Sequence, residues 1–223
     1  MSVLGKAVLF SEMTPPPEAE AQFNDWYDSE HIPLRMNVNG FRSAQRYRNG
    51  QTREYLAVYE LDAPQVLGSD DYAVVKNKPS DRTRTMLGTV TGFTRYIGGA
   101  ISSVPSDGIA FVDAPVLYAV FFNVPVDRLG DFDAWYGEDH VPLLLEDKRW
   151  LGVRRFAISD SEPGRFTRLA LHYLADRAVL ESDARQRARQ TPWRARLASE
   201  PWFKGHYVMF DRLGERFIGR GKS

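Results

Sequence analysis

The 223-residue chain contains no cysteine, which removes disulfides, thiolate chemistry and cysteine-based metal sites together. No apolar run approaches the roughly 18–20 residues that a membrane-spanning helix needs. The opening Met1-Ser-Val-Leu-Gly-Lys6 lacks the basic-then-apolar pattern of a secretory leader. Charge of neither sign prevails, since 29 Lys and Arg meet 29 Asp and Glu, so nothing global draws the chain to nucleic acid or an anionic membrane. Phosphate-cradling glycine loops, the dinucleotide fingerprint and the G-x-S-x-G elbow of serine hydrolases are also missing. The four histidines show no His-x-x-x-His spacing, and no metal site is expected. What these absences leave is a soluble, cytoplasmic protein without a bound cofactor, whose partner is a small molecule.

What is present is a repeat. Phe23 to Leu34 read F-N-D-W-Y-D-S-E-H-I-P-L, and Phe132 to Leu143 read F-D-A-W-Y-G-E-D-H-V-P-L, an offset of 109 residues from Phe23 to Phe132. Arg46-Tyr47 falls on Arg155-Phe156 at the same offset. Small insertions then bring Tyr55–Leu61 onto Arg168–Leu174, Pro79 onto Pro192, and Arg95-Tyr96-Ile97 onto His206-Tyr207-Val208. The expected organisation is one unit over 1–100, a linker over 101–113 and a second unit over 114–223. Glycine and serine in the Gly98–Gly108 stretch suit a connection.

Lys6–Phe10 and Val116–Phe122 read as first strands. Phe23, Trp26, Tyr27, Glu30 and Leu34 then fall on one helical stripe, which Pro33 should end near His31. Strands over 43–48 and 55–61 flank Asn49-Gly50, a hairpin signal; the matching turn in the second copy is Ser159–Gly164. Second helices are expected over about 69–87 and 180–199, and last strands over 92–97 and 205–210. The order in each copy is βαββαβ, a ferredoxin-like unit. Two such units, packed sheet to sheet, would form an intramolecular, pseudo-dimeric α+β barrel able to enclose one small ligand. Further pairing into a homodimer of the fused chain is left open.

The F-x-x-W-Y-x-x-x-H-[IV]-P-L pattern resembles the EthD-like family of dimeric α+β barrel proteins. It is carried by Trp26, Tyr27, His31, Pro33 and Leu34 in the first copy and by Trp135, Tyr136, His140, Pro142 and Leu143 in the second. The resemblance implies a superfamily of cofactor-free monooxygenases, isomerases, decarboxylases, cyclases and lyases acting on small, often aromatic compounds. Some related barrels bind haem.

Candidate chemistry rests on titratable groups. His31 and His140, placed at helix C-termini, should hold a proton readily and act as general acid or base, or simply cap helix carbonyls. If Leu56, Val58, Leu169 and Leu171 lie under the helices, the opposite faces carry Tyr59, His172, Arg46 and Arg155 into the barrel. His140, His172, His31 and Tyr59 are the catalytic candidates; Arg46, Arg155, Trp26, Trp135 and His206 are the substrate-binding ones. Three of four histidines lie in the second copy, which favours that half. Arg177, Arg185, Arg187, Arg189, Arg194 and Arg196 are interrupted by acids and read as a solvated helix face rather than a nucleic-acid surface. The function expected is His/Tyr acid–base chemistry on a small aromatic or unsaturated carbonyl compound, of lyase, isomerase or decarboxylase type and catabolic purpose. The alternatives are a non-catalytic carrier of hydrophobic ligands and a haem-linked oxidoreductase.

Overall fold

The computed structural model describes residues 3–105 and 110–220. Strands β1 (Ala7–Met13), β2 (Phe41–Arg48) and β3 (Tyr55–Leu61) form from the β-branched and aromatic runs that the sequence marks. β3 pairs antiparallel with both β1 and β2. Their counterparts are β5 (Val116–Phe122), β6 (Trp150–Glu162) and β7 (Arg168–Leu174), with β7 between β5 and β6. Gly40, at φ 90°, turns the chain into β2, and a Cβ there would lie 2.5 Å from Val66, so only glycine suits the position.

The last strands differ from expectation. β4 (Arg95–Val104) continues through Gly98 and Gly99 for 10 residues, and β8 (His206–Ile218) runs for 13. β6 also reaches 13, so Ser159 to Glu162 extend a strand instead of turning. The hydrogen-bonded ladder follows the order β1-β3-β2-β8-β5-β7-β6-β4 and closes. That closure corrects the expectation of two tandem ferredoxin-like units packed sheet to sheet. One eight-stranded antiparallel barrel replaces two sheets stacked on each other. The added length of β4, β6 and β8 supplies partners to edges that would otherwise leave backbone groups unpaired.

The chain nonetheless divides into two compact units. The first comprises Met1–Gly99, Ser159–Gly164 and Leu213–Ser223; the second comprises Ala100–Ile158 and Arg165–Arg212. Of the stretch between copies, residues 106–109 lie outside the described residues.

Pro33 does not stop the first helix. α1 (Glu20–Trp26) passes into a π-turn over Tyr27–His31 and on into α2 (Ile32–Met36), where Pro33 occupies the first turn. The Ile32 amide bonds the carbonyl of Tyr27, five residues back. The wider turn admits a ring that a regular helix would reject. The second unit repeats this as α5 (Leu129–Ala134), a π-turn over Trp135–His140 and α6 (Val141–Leu144). Each expected second helix is two helices: α3 (Asp70–Asn77) and α4 (Asp81–Thr89), then α7 (Asp183–Arg189) and α8 (Pro192–Ala198). Ser80 caps α4 and Thr191 caps α8, so the copies match here cap to cap rather than proline to proline.

In the first unit the helices cover Tyr55, Ala57, Tyr59 and Leu61, which pack with Phe23, Trp26, Tyr27 and Met36. In the second, Ala170 and Leu174 pack with Phe132, Trp135, Tyr136 and Leu144. Strand parity is therefore the reverse of that expected. Leu56, Val58, Leu169 and Leu171 are also buried, so both faces are apolar enough to be covered. The aromatic stripe of the helix takes the face that offers rings.

Candidate active site in the second unit

The second unit builds a directed chain of protons. Its π-turn sets Tyr136 beside His140, with ring centroids 5.2 Å apart. β7 brings His172 beneath them, Nε2 lying 2.7 Å from the Tyr136 hydroxyl. The register shift in β6 between Trp150 and Gly152 accompanies a third contact: Trp150 Nε1 donates to His172 Nδ1 at 3.0 Å. An indole N–H can only donate, so Nδ1 of His172 is bare and its proton sits on Nε2. That proton goes to the tyrosine oxygen. The hydroxyl proton of Tyr136 is left for another acceptor.

Burial keeps these groups in their neutral forms. Desolvation, with the neighbouring His140 and Arg155, holds His172 well below the usual imidazole range. Desolvation likewise lifts the Tyr136 phenol well above 10. His140 Nδ1 lies 3.2 Å from the Ala188 carbonyl and donates to it, leaving Nε2 with a lone pair. Its pKa falls to about 4, chiefly by burial; Arg194 and Arg185 push the same way, while Ala188 and Asp139 oppose. This corrects the idea that the helix end keeps His140 charged: the helix continues and the ring is enclosed. Tyr136, His140, Trp150 and His172 line a cavity of about 50 Å³, with Tyr118, Tyr207 and three arginines (Arg185, Arg189 and Arg194) around it.

The first unit has the larger space and the looser wiring. The lining of a cavity of about 350 Å³ includes Tyr27, His31, Tyr59 and Tyr72, the charged Arg35, Lys76, Arg95 and Glu162, and apolar side chains such as Leu9 and Met13. Tyr59 takes the place of His172, and its hydroxyl donates to Tyr27 over 3.4 Å. Phe41, which offers no N–H, stands where Trp150 stands and meets Tyr59 edge-on at 5.9 Å. His31 lies against Trp26 and Tyr27, centroids 4.4 and 4.6 Å away, and its Nδ1 is buried without a hydrogen-bond partner. Burial, then Arg35 and Arg46, keep its pKa well below 6.5.

Four of the anticipated residues, His31, Tyr59, His140 and His172, thus line cavities, though Tyr59 and His172 do so beneath the helices and not on the opposite strand faces. Trp135 also lines the second-unit cavity, while Trp26 is fully buried and donates to Thr83 Oγ1 at 3.0 Å. Arg46 is held by Asp28 at 2.7 Å and Asn24 at 2.6 Å, with its guanidinium 4.7 Å from the Tyr27 ring centroid. Arg155 pairs with Asp133 at 2.7 Å and sits 5.1 Å from the Tyr136 ring. Both arginines therefore lie on the helix side and buttress the tyrosines. His206 is exposed, stacked on Phe166 at 5.7 Å. Sequence reading passed over Tyr136 and Trp150 as chemistry, although the repeated Trp-Tyr pair marks the first.

No family model and no curated protein matches the chain. Solved structures do. An anthrone oxidase-like protein superposes with a TM-score of 0.67 at 12% identity, over 100% of this chain and 98% of that one. A protein provisionally named a monooxygenase, from Fusobacterium nucleatum subsp. nucleatum, gives 0.56 at 7% identity, over 97% and 96%. A mutant chlorite dismutase from Candidatus Nitrospira defluvii, in complex with cyanide, gives 0.55 at 5% identity, over 93% and 90%. At these identities the likeness is one of fold alone.

Among the described residues no group of three His, Asp or Glu side chains could hold a metal ion, and no helix is long and apolar enough to cross a membrane. The residues of the second-unit cavity do not fit a haem. His140 keeps a free Nε2, but both nitrogens of His172 are committed and about 50 Å³ admits no macrocycle.

Proposed function

We propose that the second unit is the catalytic half of a small-molecule enzyme that moves protons at carbon next to a carbonyl. The observation that carries this is the Trp150–His172–Tyr136 chain, which directs the Tyr136 hydroxyl proton away from His172. His140 Nε2 takes the proton from carbon. Tyr136 donates to the carbonyl oxygen as it gains negative charge, in the manner of an oxyanion hole. His172 positions Tyr136 and does not itself meet the substrate. The resulting enolate is the intermediate of both isomerisation, where it is reprotonated at another carbon, and elimination, where it expels a β-leaving group, so the two side chains serve either outcome. The EthD-like motif supports such chemistry, as does the name of the anthrone oxidase-like neighbour, since anthrone is a carbonyl compound with an acidic C–H.

The test is exchange. Small ketones and keto acids are incubated with the protein in D₂O, and deuterium entry at the α-carbon is followed by NMR. Exchange lost in both His140→Ala and Tyr136→Phe is the expected result. Absence of exchange across the set, or exchange indifferent to both substitutions, overturns the proposal.

A further inference from the structure

In the first unit the buried indole N–H of Trp26 has an acceptor, Thr83 Oγ1 at 3.0 Å, and the threonine in turn donates to Glu30 at 2.7 Å. Thr83 stands three residues past the Ser80 cap; three past the Thr191 cap stands Arg194. A donor has replaced the acceptor. The indole N–H of Trp135, 2% exposed, is accordingly buried with no partner. A buried donor left unpaired costs on the order of 1–3 kcal/mol, which a bound acceptor would recover.

Two more guanidinium groups join Arg194 at this cavity. Arg185 and Arg189 sit one turn apart on α7 and share a face. Among the described residues none of the three is ion-paired, and no aspartate or glutamate lines the cavity. Their side-chain bonds go to neutral groups, Arg185 to the Leu180 carbonyl at 2.7 Å and to the Tyr118 hydroxyl, and Arg194 to the Arg189 carbonyl at 3.2 Å. Arg187 and Arg196, on the same two helices, are paired with Glu146 and Asp131. On these two helices the arginines without an acidic partner are therefore the three that line the cavity. Desolvation and repulsion from Arg189 and Arg185 depress the pKa of Arg194.

We propose that this cavity binds a carboxylate, and that the substrate is a small carbonyl compound carrying one, held by Arg185, Arg189 and Arg194 with the Trp135 N–H as a further donor. The substrate assignment rests on the proton-transfer reading above; the carboxylate site does not. A space of about 50 Å³ takes a carboxylate and a short chain. The exposed Arg189 lies at its opening.

Calorimetric titration of the full chain with pyruvate, methyl pyruvate and inorganic phosphate tests it. Pyruvate should bind, its ester at least tenfold more weakly, and Arg189→Gln and Arg194→Gln should each weaken pyruvate at least tenfold. The melting temperature of each unliganded variant should equal or exceed that of the parent, since a repelling charge is gone, which a purely structural arginine would not produce. The His140 ring resonances should titrate at higher pH with pyruvate bound, because the anion offsets Arg194 and Arg185, leaving Asp139 unopposed. Equal binding of acid and ester, or variants without effect, overturns the site. Phosphate binding with no pyruvate binding overturns its assignment to carboxylates. Pyruvate binding without C–H exchange removes the proton-transfer reading and leaves the site standing; equally fast exchange of acid and ester does the reverse.

Discussion

The two copies share a motif, a π-turn and a strand register, yet they treat their protons differently. In the first, Tyr59 and Tyr27 line a cavity of about 350 Å³, Phe41 lies edge-on to Tyr59, and the two hydroxyls are 3.4 Å apart. In the second, Trp150, His172 and Tyr136 occupy the same places around about 50 Å³, joined at 3.0 and 2.7 Å. Volume favours the first copy as a ligand chamber, and proton order favours the second. Order decides here, because catalysis needs groups whose protonation and direction are set before substrate arrives. His140 is anchored through Nδ1 on Ala188, whereas Nδ1 of His31 has nothing to hold it.

The sharpest way to break this contrast is to remove each histidine in turn. His140→Ala should lower kcat/KM for α-carbon exchange by about 10²- to 10⁴-fold, the usual contribution of a positioned base. His31→Ala should change it by no more than about threefold, within the scatter of an indirect effect. The reverse result would move the active site to the larger cavity. The acid limb of kcat/KM should fall near pH 4 rather than 6.5, because His140 in the free protein titrates at about 4.

Stability against pH separates two half-buried groups with opposite signs. His140 is depressed from 6.5 to about 4, so its contribution is complete above 6.5 and is lost as pH falls towards 4. That is worth about 3 kcal/mol by linkage, measurable by urea unfolding. Glu12, in the first unit, is raised from 4.5 to about 7, mainly by burial, against a hydrogen bond from Thr94. Its contribution is complete below 4.5 and is lost as pH rises through 7. Glu12→Gln should therefore stabilise the protein at pH 8 by up to about 3 kcal/mol and leave it unchanged at pH 4. Stabilisation of equal size at both pH values would show that Glu12 does not titrate in this range.

Much of the local architecture was legible. The recurrence of Phe, Trp-Tyr and His-[Ile/Val]-Pro-Leu marked the duplication, and the Tyr55–Leu61 alternation marked β3 to the residue. Direction was not legible. Val58 and Tyr59 are both buried, so hydrophobicity could not say which strand face meets the helices. Pro33 signals a helix end by its missing N–H, but a π-turn needs no bond there, and the sequence does not announce a π-turn. Barrel closure depends on how far β4, β6 and β8 run, and strand ends are set by what they pair with. The arginines misled for another reason. Arg187 and Arg196 do form a solvated, paired face, while Arg185 and Arg189, at the spacing of one turn, line the cavity without an acidic partner. Only the position of α7 over a cavity separates the two sets.

The smallest effect probes the wire itself. Trp150→Phe keeps an aromatic ring in place, as Phe41 does in the first copy, but removes the donor to His172 Nδ1. A buried acceptor left bare should cost about 1–3 kcal/mol in urea unfolding. His172 is then free to move its proton to Nδ1, which turns Nε2 into an acceptor and draws the Tyr136 hydroxyl proton back towards it. Exchange should fall with the stability. Adding His172→Tyr to Trp150→Phe recreates the Phe41–Tyr59 pairing, in which no imidazole nitrogen needs a donor. The double variant should regain most of the lost stability, because both copies hold their tyrosine in the same aromatic frame, yet exchange should stay low. Recovery of both together would mean that packing, and not the direction of a proton, distinguishes the halves.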